Sequence, residues 1–180
     1  MKFGELINRS DFLKDKFKNL ENHFKDIEID GISNNSNKIK NNFIFFAFSG
    51  NQTNGNLYIK EAKKNGAILI ISEEEKNKDI IKLPKKNFSL IYAHLCSSFY
   101  NKKPKNIIAV TGTNGKSSVV DFYYQILRLT NQKVASIGTL GVKSEVTNFN
   151  LSNTTIDPIT LGKVLTNLKN NKIENVIMEA

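Results

Sequence analysis

Three features of the sequence predict an α/β protein made of two consecutive parallel-sheet units. Apolar, β-branched or aromatic runs short enough to be buried strands, FIFFAF (Phe43–Phe48) and AILIIS (Ala67–Ser72), alternate with amphipathic helical patterns. The stretch NKKPK (101–105) then breaks the pattern, because Pro104 between lysines ends a helix and restricts the residue before it. Beyond it the chain restarts with NIIAVTGTNGKSS (106–118), a strand signal running straight into a glycine-containing turn and a helical pattern. The predicted units are therefore residues 1–104 and 105–180.

In order, Phe3, Leu6, Leu13, Phe17 and Leu20 recur at helical spacing between lysines and predict an amphipathic helix or helix pair. Ile27, Ile29 and Ile32 predict a strand over 26–33 that ends in the polar loop Asn34 to Asn37. The strand Phe43–Phe48 empties into the loop SGNQTNG (49–55). Asn56 is expected to cap a helix through Leu57, Ile59 and Ala62, and Asn65-Gly66 to stop it before the strand Ala67–Ser72. SEEEKNKD (72–79) is expected as a solvated loop or helix start rather than a metal site, since consecutive glutamates diverge on any regular element. A helix over 88–100, with Ile91, Leu95 and Phe99 inward, closes the first unit.

In the second unit Asn106 to Thr111 predicts a buried parallel strand. The following helix is expected to turn Val119, Tyr123, Ile126 and Leu127 inward. After Asn131-Gln132 a strand returns over 134–139, with a right-handed crossover as the expected geometry. Residues 141–150 carry no clear signal. Asp157-Pro158 opens a helix bearing Leu161, Val164, Leu165 and Leu168, and ENVIME (174–179) is a further strand. Three recognisable strands are few for a doubly wound sheet, so the chain is expected to be a truncated piece of a longer protein.

Composition narrows the function classes. Hydrophobic content of 39% and charged content of 24% suit a globular protein, and no apolar run approaches the roughly 18 residues of a membrane span. Charges break the N-terminal segment before an apolar signal-peptide core can form, so a cytoplasmic location is expected. One cysteine and two histidines give neither an internal disulfide nor zinc-type spacing, and His94 and Cys96 are expected to pack within a helix. The net charge of +9 is spread among lysines and asparagines without a basic stripe or interleaved aromatics, which argues against a nucleic-acid partner.

The chemistry lies in the restart. Gly112 and Gly115 let the backbone turn sharply and bring N–H groups close to an anion, Lys116 supplies a positive charge, and Ser117 offers a hydroxyl suited to Mg²⁺. The helix that starts there points the positive end of its dipole at the same place, in outline an ATP or GTP site. The general phosphate-loop pattern has a glycine at the position of Val110, so this loop is a short form.

TGTNGKSS (111–118) resembles the ATP loop TGTNGKT[ST] of the Mur ligases, with Ser117 for the usual threonine and the hydroxyl kept. Upstream, Asn35 to Asn37 resembles the family's DSR, NFIFFAF (42–48) its GDLFVAL, and Asn54-Gly55, LYI, Ala62 and Gly66-Ala67 its DG, FI, A and GA. The Asp and Arg of DSR are asparagines here, and the glycine before the second strand is Asn41 or Asn42. NTTIDP (153–158) is similar to the family's N-T-T-P-x-P, and VIMEA (176–180) to the strand that ends in a glutamate.

Among the Mur ligases the likeness is to the muramoyl-tripeptide synthetase (MurE) type. The resemblance implies a small N-terminal α/β UDP-sugar-binding domain (1–104) and the first part of a central phosphate-loop ATPase domain (105–180). It implies an ATP- and Mg²⁺-dependent ligase of peptidoglycan synthesis, and so of cell-wall biogenesis, shape and division. Its partners would be UDP-N-acetylmuramoyl-L-alanyl-D-glutamate and a diamino acid, meso-diaminopimelate, joined through an acyl phosphate; this chain alone is expected to be inactive. On the same basis Gly112, Thr113, Asn114, Gly115, Lys116, Ser117 and Ser118 would bind ATP, with Lys116 catalytic and Ser117 and Glu179 holding Mg²⁺. Asn34, Ser36, Asn51, Gln52 and Thr53 would meet the uridine diphosphate sugar, and Asn153, Thr154 and Thr155 the muramoyl peptide. The alternatives are a MurF-type ligase and a non-catalytic nucleotide- or nucleic-acid-binding module.

Overall fold

The computed structural model describes residues 1–50, 53–74, 77–150 and 156–180. They form two compact units, Met1–Phe99 and Tyr100–Ala180.

In the first unit the expected N-terminal pair is present as α1 (Phe3–Asn8) and α2 (Asp11–Lys16), followed by a single turn, α3 (Asn22–Lys25). Ser10 starts α2 by accepting the Leu13 N–H at 3.4 Å. The parallel sheet has the order β1 (Gly31–Ser33), β2 (Phe43–Ala47), β3 (Ala67–Ser72), β4 (Ile80–Lys82). Between β2 and β3 lies α4 (Ile59–Lys64), and α5 (Lys85–Phe99) follows β4. The sheet is covered on both faces, which is why its strands are apolar throughout rather than alternating. Phe45, Ala47, Ile70 and Ile80 pack with Ile59 and Ala62 of α4. Phe46 turns the other way and meets Phe88 and Tyr92 of α5 edge-on at 5.7 and 4.8 Å between ring centroids.

Several expectations are corrected in this unit. The strand over 26–33 shrinks to three residues; Ile29 is still buried, but on the approach to β1. Asn56 does not cap a helix: Asn54 caps a 3-10 turn over Gly55–Tyr58 by accepting the Asn56 N–H at 2.9 Å, and α4 continues from that turn. Apart from Glu75 and Lys76, outside the described residues, the acidic stretch is a loop as expected, and it leads into the unanticipated β4. His94 and Cys96 are packing residues: Cys96 is buried, and His94 stacks on Phe12 and hydrogen-bonds Ser10 at 3.2 Å.

The second unit has a five-stranded sheet, ordered β5 (Asn106–Val110), β9 (Asn175–Glu179), β6 (Val134–Gly138), β7 (Gly141–Lys143), β8 (Asn148–Phe149). The first three strands run parallel, and β7 and β8 extend the sheet antiparallel through residues that carried no clear signal. Helix α6 (Lys116–Leu129) links β5 to β6, and α7 (Pro158–Asn170) links β8 to β9. Asp157 caps α7 by accepting the N–H groups of Ile159 and Thr160 at 3.1 and 3.2 Å, with Pro158 in the first turn where its missing N–H costs nothing. Its apolar stripe packs Val164, Leu165 and Leu168 against Ala135, Ile137 and Val176.

Strand β5 is not buried. It is the edge strand of the described sheet, with Ile107 and Ile108 38% and 39% exposed. Helix α6 likewise departs from its expected face. Val120 and Tyr124 are its buried residues, with Tyr123 and Leu127 packed beside them, whereas Val119 and Ile126 lie on the exposed side with Phe122 and Leu129. The apolar face of this helix is wider than the stripe that packs, so periodicity alone does not select that stripe. Among the described residues no helix is long and apolar enough to cross a membrane.

Candidate functional site

The sheet of the second unit converges on one point. The middle of its three parallel strands, β9, ends in Glu179, which lies opposite Val110 at the end of β5 and beside Gly138 at the end of β6. The carboxyl ends of parallel strands are where α/β proteins bind ligands, because the strands stop there and the loops that follow diverge. The turn after β5 is exposed from Thr111 to Gly115. Gly115 occupies the left-handed region (φ 79°) as the residue preceding α6, a conformation that L side chains rarely adopt. The ladder of α6 opens with the Val119 N–H on the Gly115 carbonyl at 3.0 Å, so the amides of Lys116, Ser117 and Ser118 precede it and are free to point at an anion.

Lys116 arches back over the turn, its Nζ donating to the Gly112 carbonyl at 2.5 Å, which puts the ammonium at the mouth of the loop. Glu179 accepts from the Thr139 amide at 3.2 Å and from the Thr139 hydroxyl at 2.8 Å, and it is also hydrogen-bonded to Ser117. Burial pushes its carboxyl up, but the bonds from Thr139 and Ser117 and the charge of Lys116 outweigh that and hold it below the usual carboxylate range. At neutral pH it is a carboxylate next to a hydroxyl and an ammonium.

This donor set fits Mg²⁺. The ion takes hard oxygen ligands and keeps several waters, so one carboxylate and one hydroxyl beside a phosphate-binding turn suffice. Among the described residues no group of three or more His, Cys, Asp or Glu could form an all-protein cage. Thr139 gives no signal in the sequence beyond ending a predicted strand, yet it is what aims the carboxylate.

Gly138 is needed for space rather than for its dihedrals. A Cβ there would lie 2.3 Å from Glu179 Oε1 and 2.6 Å from its Cδ. Gly138→Ala is therefore expected to swing the carboxylate off Thr139 and to weaken Mg²⁺-dependent ATP binding roughly tenfold, the cost of losing hydrogen bonds to a charged group. Titration calorimetry with ATP and Mg²⁺ checks this, and unchanged affinity would remove Glu179 from the site.

The first unit holds a second concavity, of about 490 Å³, at the ends of β1 and β2. Asn34, Asn35, Asn37 and Thr53 supply its polar lining, and Phe45, Phe48 and Tyr58 its aromatic one. Three sequence-predicted residues, Asn34, Ser36 and Thr53, thus share a pocket, although Ser36 is buried and its hydroxyl donates to Glu61 at 2.6 Å. Asn51, Gln52, Asn153, Thr154 and Thr155, expected to contact the sugar nucleotide and peptide, lie outside the described residues. The pocket's aromatic lining was not anticipated; FIFFAF had read only as a core strand.

A parallel strand, a short glycine turn, a lysine at a helix N-terminus and a carboxylate on the neighbouring strand define an α/β phosphate-binding protein. Two consecutive family models match the chain, "Mur ligase family, catalytic domain" over residues 28–110 and "Mur ligase middle domain" over residues 110–180. The chain belongs to the Mur ligase family.

Curated relatives from Rickettsia montanensis (41% identical over 167 residues) and Rickettsia conorii (43% over 169 residues) are each named UDP-N-acetylmuramoyl-L-alanyl-D-glutamate--2,6-diaminopimelate ligase. Each match covers 90% of this chain and 35% of the relative, so the chain spans about a third of their length. A solved structure of a ligase with the same name superposes with a TM-score of 0.70 at 27% identity, over 84% of this chain and 32% of that one. The fold is shared with a MurF ligase from Thermotoga maritima solved with ADP, TM-score 0.53 at 23% identity, over 86% of this chain and 33% of that one.

Proposed function

We propose that this chain carries the uridine-diphosphate-sugar pocket and the ATP-phosphate site of an ATP-dependent ligase that joins meso-diaminopimelate to UDP-N-acetylmuramoyl-L-alanyl-D-glutamate in peptidoglycan synthesis. The observation that carries the reading is the short loop Gly112–Ser118 entering α6 with Glu179 held beside Ser117. The names of the relatives supply the substrates.

Amide formation from a carboxylate needs a better leaving group than oxide. ATP phosphorylates the substrate carboxylate, the amine attacks the acyl phosphate, and phosphate departs from the tetrahedral intermediate. The residues of the loop serve the first step: the amides from Gly112 to Ser118 cradle the phosphates, and Lys116 balances charge on the oxygens nearest the transferred group. Ser117 and Glu179 would hold Mg²⁺, which would supply positive charge against the negative charge that develops on the phosphate oxygens. In the first unit the aromatic rings offer a stacking surface for uracil, and Asn34, Ser36, Asn51, Gln52 and Thr53 donors and acceptors for the base, ribose and diphosphate. Asn153, Thr154 and Thr155 are assigned to the muramoyl peptide.

Titrating the 180-residue chain separately with UDP and with ATP plus Mg²⁺, while following backbone amides by NMR, tests both halves. UDP is expected to shift Asn34, Thr53 and Tyr58, and ATP to shift Gly112 to Ser118. If UDP moves no amide of the pocket, or ATP none of the loop, the corresponding assignment falls.

A further inference from the structure

We infer that the two loops walling the pocket of the first unit are latched from behind by carboxylates, and that Glu61 and Glu74 are positioning residues for recognition of the uridine diphosphate group. The inference rests on the uridine reading of that pocket.

The first wall is the segment 34–38. Its Ser36 hydroxyl donates to Glu61 of α4 at 2.6 Å, and Asn65 Nδ2 at the end of α4 donates to the Ser36 carbonyl at 3.0 Å. One short helix therefore grips both the side chain and the backbone of a loop far from it in sequence. The Ser36 hydroxyl proton is committed to this bond, and the Asn35 and Asn37 N–H groups are held within the loop by Ser33 Oγ and Asn35 Oδ1 at 3.0 and 2.9 Å, which leaves the exposed side chains of Asn34 and Asn37 for the cavity.

The second wall is made by Gly50, Thr53 and Gly55, and Ser49 and Asn54 beside them close on one carboxylate. Ser49 Oγ donates to Glu74 at 2.6 Å, and Asn54 Nδ2 approaches both Glu74 oxygens at 3.4 Å. The Ser49 amide donates to the neighbouring Glu73 at 3.1 Å. Asn56 braces the arrangement from inside, accepting from Ser72 Oγ at 2.6 Å and donating to Ser49 Oγ at 3.3 Å. Ser72 Oγ in turn accepts the Glu74 amide at 3.0 Å. The bonds from Ser49 and then Asn54 hold the Glu74 carboxyl below its usual value, with Lys85 and Lys82 adding to the effect.

A pocket for a diphosphate has little use for carboxylates in its lining, and neither Glu61 nor Glu74 lines it. Both spend their charge on donors from the walls, in charge-assisted bonds stronger than neutral ones. Their contribution to the ligand is order: loops held in the binding conformation need not lose that freedom on association.

The test uses Glu61→Ala, Glu61→Gln, Glu74→Ala and Glu74→Gln in the 180-residue chain. Amide hydrogen exchange without ligand and calorimetric titration with UDP are the readouts. Glu74→Ala is expected to accelerate exchange about tenfold at Gly50 and Thr53 to Gly55 and to leave 34–38 unchanged, and Glu61→Ala to do the reverse. Affinity for UDP is expected to fall roughly tenfold in each alanine variant and to recover in part in each glutamine variant, which keeps one acceptor oxygen without the charge.

Ser36→Ala and Ser49→Ala remove the donors instead and are expected to reproduce the matching carboxylate variant, so a variant that fails to fold does not end the test. Unchanged exchange in the matching loop overturns the latch. Faster exchange with undiminished UDP affinity overturns its role in recognition. A wild-type chain that does not bind UDP overturns the pocket's assignment, and the exchange measurements still decide the latch.

Discussion

Replacing Lys116 with alanine in a full-length ligase bearing this sequence is expected to lower ATP-dependent amide formation by about 10²–10³-fold, the usual loss when one preorganised electrostatic contact to the reacting centre is removed. Lys116 is the first residue of α6, where it faces the positive end of the helix dipole. A cation there is opposed by about 0.3–1 kcal/mol, and acidic residues are the ones that stabilise such a position. For the unliganded chain the substitution should therefore be close to neutral, since Lys116 gives up its bond to the Gly112 carbonyl and its attraction to Glu179, the smallest of the named influences on that carboxyl. Function is thus expected to fall steeply while stability stays nearly unchanged. That split is the mark of a residue kept for its ligand. Steady-state release of ADP in the full-length enzyme and a thermal melt of this chain measure the two arms. Wild-type turnover in the variant would remove Lys116 from the reaction, and a large drop in melting temperature would make it a structural residue.

The glycine turn and the lysine were legible in sequence because they meet a local demand: a sharp turn and a helix start within a few residues. Glu179 was legible through its place at the end of an apolar strand. Strand β3 spans the predicted Ala67–Ser72, and α7 begins where Asp157-Pro158 announced it, since both signals lie within one element. What failed were inferences about covering. An apolar β-branched run implied burial for β5, but burial depends on neighbours that the run does not encode, and the described sheet leaves this strand at its edge. Helix α6 has a polar side, with Asp121, Gln125 and Arg128, and an apolar side wider than the stripe that packs, so its period does not separate Val119 and Ile126 from Val120 and Tyr124. Strands β4, β7 and β8, of three, three and two residues, are too short to show a period. The bonds from Thr139 to Glu179 and from Ser49 to Glu74 join residues 40 and 25 positions apart, and only the assembled sheets bring them together.

Phe46→Ala is expected to cost the first unit about 3–5 kcal/mol, the range for truncating a fully buried phenylalanine. Phe46 is 0% exposed in β2, flanked by β1 and β3, and its ring meets Phe88 and Tyr92 of α5. The cavity cannot collapse easily, because the strands on either side fix the backbone and the facing side chains are large aromatics with few alternative rotamers. Set against roughly 5–15 kcal/mol for a whole domain, the loss leaves little margin and should lower the melting temperature by about 12 °C or more. Its effect on the pocket follows from the alternation of the strand: Phe45, the next residue, lines the cavity, and β2 leads into the loop 49–55. Phe122→Ala is the matched control. That ring lies on α6 in the second unit, 63% exposed, and its loss should stay within about 0.5 kcal/mol. Because the chain has two units, the unfolding free energy is best read from hydrogen exchange at β2 and β3 amides rather than from one global transition. Similar losses for the two variants would mean that burial in this sheet does not govern the stability of the first unit; a difference of several kcal/mol confined to β2 and β3 would place its core where Phe46 stands.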